Sequence, residues 1–149
     1  MSRLTVIAVG GRAGSWARAA EEEYCRRLRG WRAELRVAKA AAGPRGPQLE
    51  ARRIEKLIPP GAALVAADER GESCDSAQFA RRLQGWLEAG GAAFVVGGHH
   101  GLDDSILERS AARLALAPFT LAHDVARVAL LEQCYRAWTI LQGHPYHRG

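Results

Sequence analysis

Short apolar segments alternate along this chain with segments of helical periodicity, and this alternation limits the possible folds more than any other feature. Three of the apolar segments are Arg3–Gly10, Ala62–Ala67 and Ala92–Val96. Continuous apolar runs of this length are typical of strands buried on both faces, and helices are the usual connection between parallel strands. The pattern predicts a single-domain α/β protein with a mainly parallel open sheet flanked by helices.

Capping residues and helix breakers place the other elements of this fold. Two more strands are predicted, at Ala33–Ala38 and Arg113–Ala117. Helices are predicted from Ser15 to about Arg29, over Gln48–Ile58, from Asp75 or Ser76 to about Ala89, from Asp103 or Asp104 to about Ser110, and from Asp124 to about Leu141. The helical spacing puts Trp16 and Leu49 on the inward faces of the first two helices.

The last of these helices carries two apolar stripes. One consists of Val128, Leu131, Tyr135 and Trp138, and the other of Leu130, Cys134, Ala137 and Leu141. A helix that is apolar on two sides is buried on two sides. Its second partner is either another subunit, which predicts a homodimer, or the remainder of the same domain.

Length and cysteine usage set the class of protein. The 149 residues fit one domain with its own core, and no apolar run approaches the ~20 residues of a membrane-spanning helix. The amino-terminal apolar segment is too short for a signal peptide. The three cysteines lie far apart, which is typical of reduced thiols. These features predict a cytoplasmic protein that does not bind a membrane.

Positive charge is concentrated in one part of the chain, although the net charge is only +5. From Arg26 to Lys56 there are ten lysine or arginine residues and three acids, a local balance of +7. Such a segment predicts contact with nucleic-acid phosphates, and Arg26, Arg27, Arg52 and Arg53 are its candidate binding residues. The alternative is a solvated arginine-rich face, since nineteen of the twenty-one basic residues are arginine.

Histidines and a glycine turn are the candidate ligand-binding features. The histidines are His99, His100, His123, His144 and His147. Zinc sites usually combine closely spaced histidines with cysteine or acidic ligands, and these histidines have no cysteine nearby, so no metal is predicted. A serine hydrolase is not indicated, because no Gly-x-Ser-x-Gly elbow is present. The turn at Gly97-Gly98 is either a ligand loop at the end of a strand or only a tight turn.

Three motifs near the carboxyl terminus carry a resemblance to a known family. They are Thr120-Leu121-x-His123-x-x-x-Arg127-Val128, Glu132-Gln133-x-Tyr135-Arg136-Ala137 and His144-Pro145-Tyr146-His147-Arg148. Further matches are Asp68-x-x-Gly71, Ser76-x-x-Phe79-Ala80 and Val96-Gly97-Gly98-x-x-Gly101-Leu102. Over essentially its whole length, the chain resembles the RlmH-type ribosomal RNA methyltransferases, a branch of the SPOUT or α/β-knot superfamily.

This resemblance implies a carboxyl-terminal trefoil knot, a homodimer, and S-adenosylmethionine as the cofactor. The residues that it assigns to cofactor binding are Ala67, Gly97, Gly98, Leu116, Ala117, Pro118, Phe119, Thr120 and Leu121. The implied reaction is methylation of 23S ribosomal RNA at N3 of a pseudouridine of the 1915 type, in a large-subunit hairpin loop. The implied substrate is the assembled ribosome.

The chemistry of that reaction suggests roles for the polar residues of the three motifs. Methyl transfer from a sulfonium requires an in-line nucleophile, and the N3 imide of pseudouridine must lose its proton as it reacts. We expect Arg127 and Arg148 to supply positive charge, and His147 or His123 to accept or relay the proton.

Two tail residues and two departures from the family pattern leave alternatives open. Tyr146 and His144 are expected to contact the extruded base or only to fix the tail onto a partner subunit. His99-His100 follows the glycine turn where the family has other residues, and Ala122 stands where proline is usual. The alternatives to a methyltransferase are a non-catalytic RNA- or ribosome-binding protein on the same knotted scaffold and a small metal-dependent enzyme.

Overall fold

The computed structural model describes residues 3–11 and 13–148, which form one five-stranded parallel sheet with helices on both faces. The strands are β1 (Leu4–Val9), β2 (Glu34–Ala38), β3 (Ala63–Glu72), β4 (Ala92–Val96) and β5 (Ala112–Leu114). The helices are α1 (Ser15–Arg27), α2 (Gly46–Leu57), α3 (Ser76–Ala89), α4 (Asp104–Arg109) and α5 (His123–Gln142), and a 3₁₀ turn at Arg29–Trp31 follows α1. The predicted α/β class, parallel sheet and flanking helices are confirmed. Within these residues, no helix is both long and apolar enough to cross a membrane.

All five strands point the same way, in the order β2-β1-β4-β3-β5. β1 and β4 occupy central positions, and every one of their residues is buried. Because the strands are parallel, the segments that follow them all leave from one edge of the sheet, which we call the carboxyl edge. The loops after β4, β3 and β5 lie side by side there, since these strands are neighbours.

The helices cover the sheet in two groups. α1, α3 and α5 share one hydrophobic core with the sheet, and α2 and α4 share the other. α5 packs against both α1 and α3. Leu131 of its first apolar stripe is buried, as are Leu130, Cys134 and Ala137 of the second. The two-sided pattern of α5 is thus accounted for within the chain and does not by itself require another subunit.

Glutamates occupy inward positions on both α1 and α2. Trp16 is 57% exposed, whereas Glu21, on the inward face of α1, is 4% exposed. Leu49 is 40% exposed, whereas its neighbour Glu50 is 4% exposed on the inward face of α2. The predicted inward orientation of Trp16 and Leu49 is therefore wrong. In both helices a hydrogen-bonded carboxylate, that of Glu21 or Glu50, occupies the inward face instead.

The buried carboxylate of Glu21 forms an ion pair with Arg127 of α5. The Nε of Arg127 donates to Oε2 of Glu21 at 2.8 Å, and its Nη2 donates to Oε1 at 3.4 Å. The remaining nitrogen, Nη1, donates to the carbonyl oxygen of Gly11 at 3.1 Å. Beside this pair, Oδ2 of Asp124 accepts from the N–H of Gly14 at 3.0 Å. These bonds tie the start of α5 to α1 and to the turn after β1.

Several element boundaries differ from the predicted ones. Asp75 and Asp103 cap α3 and α4 through side-chain hydrogen bonds, as predicted. Asp124 lies in the first turn of α5 and does not cap it, because its carboxylate accepts from the turn before α1. β3 continues beyond Ala67, and β5 is shorter than predicted.

Replacement of Glu21 by alanine leaves the Arg127 guanidinium buried without its partner. We expect the free energy of unfolding to fall by about 3–5 kcal/mol, the usual cost of an uncompensated buried charge. The double variant Glu21→Leu/Arg127→Met removes both charges and is expected to recover most of this loss. Urea denaturation measures the difference, and equal losses in the single and double variants would contradict the pairing.

Candidate functional site at the carboxyl edge

The segment after Ala67 leaves the sheet and then returns to the same pairing partner. Ala67 and Glu72 both lie opposite Leu114 of β5, so the residues between them form a bulge. Gly71 lies where a side chain has no room, since a Cβ there would be 2.6 Å from the carbonyl carbon of Arg113. This close approach holds the bulge against β5 and directs it beyond the carboxyl edge.

The turn after β4 is equally tight. A Cβ on Gly97 would lie 2.9 Å from the carbonyl carbon of Gly101, and one on Gly98 would lie 3.1 Å from Cγ1 of Val9. The N–H of Gly101 donates to the carbonyl oxygen of Gly98 at 3.0 Å. The turn therefore requires glycine for steric reasons and carries a pair of histidines at its tip.

A cavity of 830 Å³ lies between the bulge, the glycine turn and the loop after β5, and we call it the edge cavity. Eight of the nine residues assigned to cofactor binding line it, namely Ala67, Gly97, Gly98, Leu116, Ala117, Phe119, Thr120 and Leu121. The ninth, Pro118, is exposed and is not part of the lining. His123 also lines the edge cavity. The structure thus brings together three loops that are far apart in the sequence.

The lining of the edge cavity is partly apolar and partly acidic. Leu116 and Leu121 supply apolar surface, and the bulge supplies the carboxylates of Asp68 and Glu69 and the guanidinium of Arg70, whose Nε lies 3.5 Å from Oδ1 of Asp68. Oε2 of Glu69 accepts from the hydroxyl of Thr120 at 2.7 Å, which joins the bulge to the loop after β5. The sequence analysis did not assign the two acids, although Asp68 belongs to one of the matched motifs. Such a lining suits a small ligand that combines an apolar part with polar groups.

Two of the histidines meet in the lining of the edge cavity. The rings of His99 and His123 have centroids 5.8 Å apart. The cavity remains open beside them, so His99-His100 and Ala122, where the chain departs from the family pattern, do not close it. In the part of the chain that the structure describes, no three His, Cys, Asp or Glu side chains form a group that would hold a metal ion.

Glu50 is a buried residue near this site that the sequence analysis did not identify. Its Oε2 accepts from the N–H of Ala41 at 3.0 Å. Its Oε1 lies close to the glycine turn, 3.7 Å from the position of a Cβ on Gly98. Glu50 therefore binds the basic loop after β2 and lies beside the glycine turn that lines the edge cavity. Its position one helical turn before the buried Ile54 is the signal that could have identified it.

After α5 the chain turns back along the same helix. The helix ends in a Schellman arrangement, with Gly143 in the left-handed region at φ 74° and the N–H of His144 donating to the last turn at 2.9 Å. The hydroxyl of Tyr146 then donates to Oε2 of Glu132 at 2.9 Å. The guanidinium of Arg136 lies over the Tyr146 ring, 4.9 Å from its centroid. Within one chain, the tail is thus fixed onto α5.

One ring nitrogen of His147 is already engaged. Its Nδ1 lies 3.1 Å from Nη1 of Arg136. A guanidinium has N–H donors and no acceptor, so Nδ1 accepts this bond and the proton of the neutral ring is on Nε2. In this arrangement His147 offers a hydrogen-bond donor, which differs from the proton acceptor that the sequence analysis expected.

His147 lines a second cavity, of 440 Å³, which we call the tail cavity. The start of α3, the loop after β5 and α5 form the rest of its wall and contribute Ser76, Leu116 and Gln133 among other residues. Cys74 also lines it, and burial raises the pKa of this thiol above its ordinary value, which favours the neutral form. The two histidines expected to carry the proton therefore lie in different cavities.

Arg127 is not available to contact a ligand directly. It is 2% exposed, and its charge is compensated by Glu21. The expectation that Arg127 supplies positive charge to the reaction is corrected by this burial. Arg148, its expected companion, is exposed on the tail.

The four candidate RNA-binding arginines do not form one patch. Arg26 and Arg27 are exposed at the end of α1, where both pair with Glu23. Arg52 and Arg53 belong to α2, which covers the opposite face of the sheet. The two pairs of arginines are close in the sequence, but the sheet lies between them in the structure.

A Gly71→Ala substitution tests the close approach of the bulge to β5. We expect the added methyl group to lower the free energy of unfolding by about 1–3 kcal/mol, the usual cost of overpacking. The matched control is Gly85→Ala in α3, where a Cβ meets nothing within 4 Å. This control is expected to gain roughly 1 kcal/mol, because alanine is the better helix former. Thermal or urea unfolding compares the two, and a neutral Gly71→Ala would contradict the predicted overlap.

Tyr146 provides a test of the tail contact. Burial and the hydrogen bond to Glu132 raise the pKa of Tyr146 to about 12. The fold thus favours the neutral phenol, and this contribution to stability is lost as the pH rises from about 10 to 12. We expect Glu132→Gln to move the pKa toward about 10, the usual value for tyrosine. Ultraviolet titration, with Tyr146→Phe as the reference, follows the change, and an identical curve for Glu132→Gln would exclude the contact.

Comparison with known proteins relates this arrangement to a family. A family model described as a predicted SPOUT methyltransferase matches residues 2–147. A relative from Bordetella petrii, named ribosomal RNA large subunit methyltransferase H, is 44% identical over 155 residues and covers 98% of this chain and 99% of its own. A relative of the same name from Ralstonia pickettii is 42% identical over 154 residues, with 98% and 99% coverage.

Solved structures share the fold at lower sequence identity. A probable methyltransferase from Bordetella pertussis has a TM-score of 0.61 at 20% identity, covering 91% of this chain and 94% of its own. A SpoU methyltransferase from Streptomyces viridochromogenes, solved in complex with AdoMet, has a TM-score of 0.51 at 15% identity, covering 91% and 57%. With the near full-length match to the family model and to the two sequence relatives, the chain belongs to the SPOUT methyltransferase family, in the branch named ribosomal RNA large subunit methyltransferase H.

Proposed function

We propose that this chain transfers a methyl group from S-adenosylmethionine to large-subunit ribosomal RNA, at N3 of a pseudouridine. The observation that supports this most is the edge cavity, which three loops of a SPOUT-family chain enclose at the carboxyl edge. The sequence relatives are named as methyltransferases of large-subunit ribosomal RNA. A ribosomal substrate places the protein in the cytoplasm, in keeping with its free cysteines.

The edge cavity fits S-adenosylmethionine by size and by lining. Its 830 Å³ falls within the range of small-molecule sites, about 300–1,000 Å³. Because Gly97 and Gly98 have no side chains, their main-chain atoms form part of the wall of the edge cavity. A flat main-chain surface of this kind suits the face of an adenine ring. Leu116 and Leu121 offer apolar contact to the same ring, and the carboxylates of Asp68 and Glu69 can accept hydrogen bonds from the ribose hydroxyls.

The acceptor nitrogen needs a group that takes its proton. S-adenosylmethionine supplies an electrophilic methyl group, which N3 takes as the methyl–sulfur bond breaks and leaves its electron pair on sulfur. We assign removal of the N3 proton to His123, because it lines the edge cavity and an imidazole is suited to proton transfer near neutral pH. The neighbouring ring of His99 limits the orientations open to His123.

The two arginines of the matched motifs, Arg127 and Arg148, have different roles in this proposal. Arg148 is exposed on the tail and is assigned to stabilise the negative charge that develops on the imide. Arg127 is assigned as a positioning residue. Its buried pair with Glu21 and its bond to Gly11 hold the start of α5, and so His123, against the turn after β1.

The placement of the basic residues suits a large RNA assembly as the substrate. Arg26 and Arg27 lie on one face of the sheet and Arg52 and Arg53 on the other. A short RNA cannot contact both groups at once, whereas an assembled ribosome presents phosphates over a wide surface. We propose the assembled ribosome as the substrate for this reason.

An exposed apolar pair supports a homodimer. Trp16 and Val125 are both exposed. Trp16 lies beside Gly14, and so does the carboxylate of Asp124, the residue that precedes Val125 in the sequence. Large apolar side chains exposed together mark interaction surfaces. We propose that a second copy of the chain covers them, while the trefoil knot that the family implies stays a prediction.

The proposal is tested by offering labelled S-adenosylmethionine with assembled ribosomes or with free ribosomal RNA. We expect label on ribosomes, mapped by mass spectrometry to N3 of a pseudouridine. Arg148→Ala is expected to lower the rate by about 100-fold or more, the usual effect of losing one charge-stabilising group in a transition state.

Arg109→Ala is the matched control. Arg109 is the last residue of α4, which runs away from the carboxyl edge. Its Nη1 lies 3.9 Å from Oε1 of Glu55. We expect this variant to retain full activity. No label on either RNA substrate and no cofactor binding by calorimetry would overturn the proposal and favour the non-catalytic RNA-binding protein. Full activity of Arg148→Ala would remove only that residue from the site.

A further inference from the structure

The outer face of α2 combines basic side chains with one apolar side chain. Arg45 stands at the start of the helix, and Leu49, Arg52 and Lys56 follow it at intervals of four, three and four residues. Side chains at this spacing lie on one face of a helix. All four residues are exposed, including Leu49, which local periodicity would place in the core. We call these four residues the α2 stripe.

The positive charges of the α2 stripe are not compensated within the chain. Among the residues that the structure describes, Arg45, Arg52 and Lys56 form no ion pair with an acid. Glu55 is the one exposed acid of α2, and its Oε1 lies 3.9 Å from Nη1 of Arg109 of α4. The three cations of the stripe are therefore available to a partner.

The other basic residues considered for RNA binding already have partners. Arg26 and Arg27 both pair with Glu23 at the end of α1. Nη1 of Arg53 donates to two carbonyl oxygens of the loop after β2, at 2.8 and 3.2 Å. Arg53 thus holds this loop against α2. Of the basic groups on the two faces of the sheet, the α2 stripe is the one with unpaired charge.

The α2 stripe begins next to the edge cavity. Because β2 ends at the carboxyl edge, α2 starts there and runs away from it. Glu50, which follows Leu49, lies beside Gly98 of the glycine turn that lines the edge cavity. Arg45 is therefore the end of the stripe nearest the edge cavity, and Lys56 is the farthest. At a rise of about 1.5 Å per residue, the stripe is about 16 Å long.

A nucleic-acid backbone fits these properties. Lysine and arginine neutralise phosphates, and the release of bound counterions drives this contact. A length of about 16 Å corresponds to several nucleotides of one strand. Apolar contact from Leu49 suits a ribose or an unstacked base between the phosphates, as occurs where proteins bind single-stranded loops.

We propose that the α2 stripe binds the sugar–phosphate backbone of the ribosomal RNA strand that leads into the edge cavity. This inference rests on the proposed function and deepens it. Arg45, Arg52 and Lys56 contact phosphates, and Leu49 packs against the strand between them. The strand lies along the face of the sheet that α2 covers, so the target nucleotide reaches the edge cavity past the glycine turn.

Neutral substitutions in the α2 stripe test this contact. We expect Arg52→Gln to raise the Kd for assembled ribosomes about 5-fold at roughly 0.1 M salt, because one phosphate contact is lost. The slope of log Kd against log salt concentration should fall by about 1. For Arg52→Gln/Lys56→Gln we expect about a 30-fold rise in Kd at the same salt concentration. Arg52→Lys keeps the charge and should retain most of the affinity.

Arg81→Gln is the matched control. Arg81 is exposed on α3, which covers the opposite face of the sheet, and it carries the same charge as Arg52. We expect this variant to keep the Kd and the salt slope of the unsubstituted protein. The Kd for S-adenosylmethionine, measured by calorimetry, should be the same in all of these variants, which shows that they fold.

A photoreactive benzophenone side chain in place of Leu49 identifies what the stripe touches. Illumination of the complex with ribosomes should join the protein to ribosomal RNA, in an adduct that ribonuclease shortens. Reverse transcription locates the site on the RNA. An adduct with ribosomal protein alone would overturn the RNA contact and assign the stripe to a protein partner.

The binding and methylation assays separate the two proposals. An unchanged Kd and salt slope for Arg52→Gln/Lys56→Gln, or an equal loss in Arg81→Gln, would overturn the α2 stripe, and methylation by the unsubstituted protein would still support the proposed function. If the unsubstituted protein transfers no methyl group but binds ribosomes through the stripe, the proposed function is overturned. The stripe would then be the binding surface of a non-catalytic RNA-binding protein.

Discussion

The pairing of β3 with both β4 and β5 is the constraint on which the site depends. These neighbours run parallel, so their loops leave from one edge, and β3 is interrupted where Ala67 and Glu72 share Leu114 as their partner. The resulting bulge can stay against β5 only because Gly71 has no side chain there. A change at this contact would shift the bulge relative to the loop after β5, and so open or close the edge cavity that lies between them.

Buried carboxylates hold the loops around this edge. Glu21 pairs with Arg127 and thereby ties α5 to α1, while Glu50 accepts a hydrogen bond from the loop after β2 and lies beside the glycine turn after β4. Both acids lie at helix positions where apolar residues would be expected to face the core. A hydrogen-bonded charge at such a position costs stability when its partner is lost. This arrangement is consistent with a site assembled from several loops.

Glu132 connects the tail to the rest of the chain. Its carboxylate accepts from Tyr146, from Arg136 and from Gln133, and Gln133 in turn accepts from Ser76 of α3. The same guanidinium of Arg136 engages His147 and so determines which of its ring nitrogens carries the proton. One acid therefore orients the groups on both sides of the tail cavity. The tail packs on α5 and presents His147 to that cavity.

The sequence by itself determined the features that depend on neighbouring residues. Runs of apolar residues specified the strands. Asp75 or Ser76 and Asp103 or Asp104 were the predicted starts of two helices, and the structure has Asp75 and Asp103 as the caps. The family resemblance located eight of the residues that line the edge cavity. Only the tertiary structure decided which charges are buried and which ring nitrogen is free. Arg127 and Glu21 are 106 positions apart, and their pairing removes from the site an arginine that the motif alone placed in it. The energy of a charged side chain depends on the groups packed around it, and these come from distant parts of the chain that local periodicity does not relate to one another.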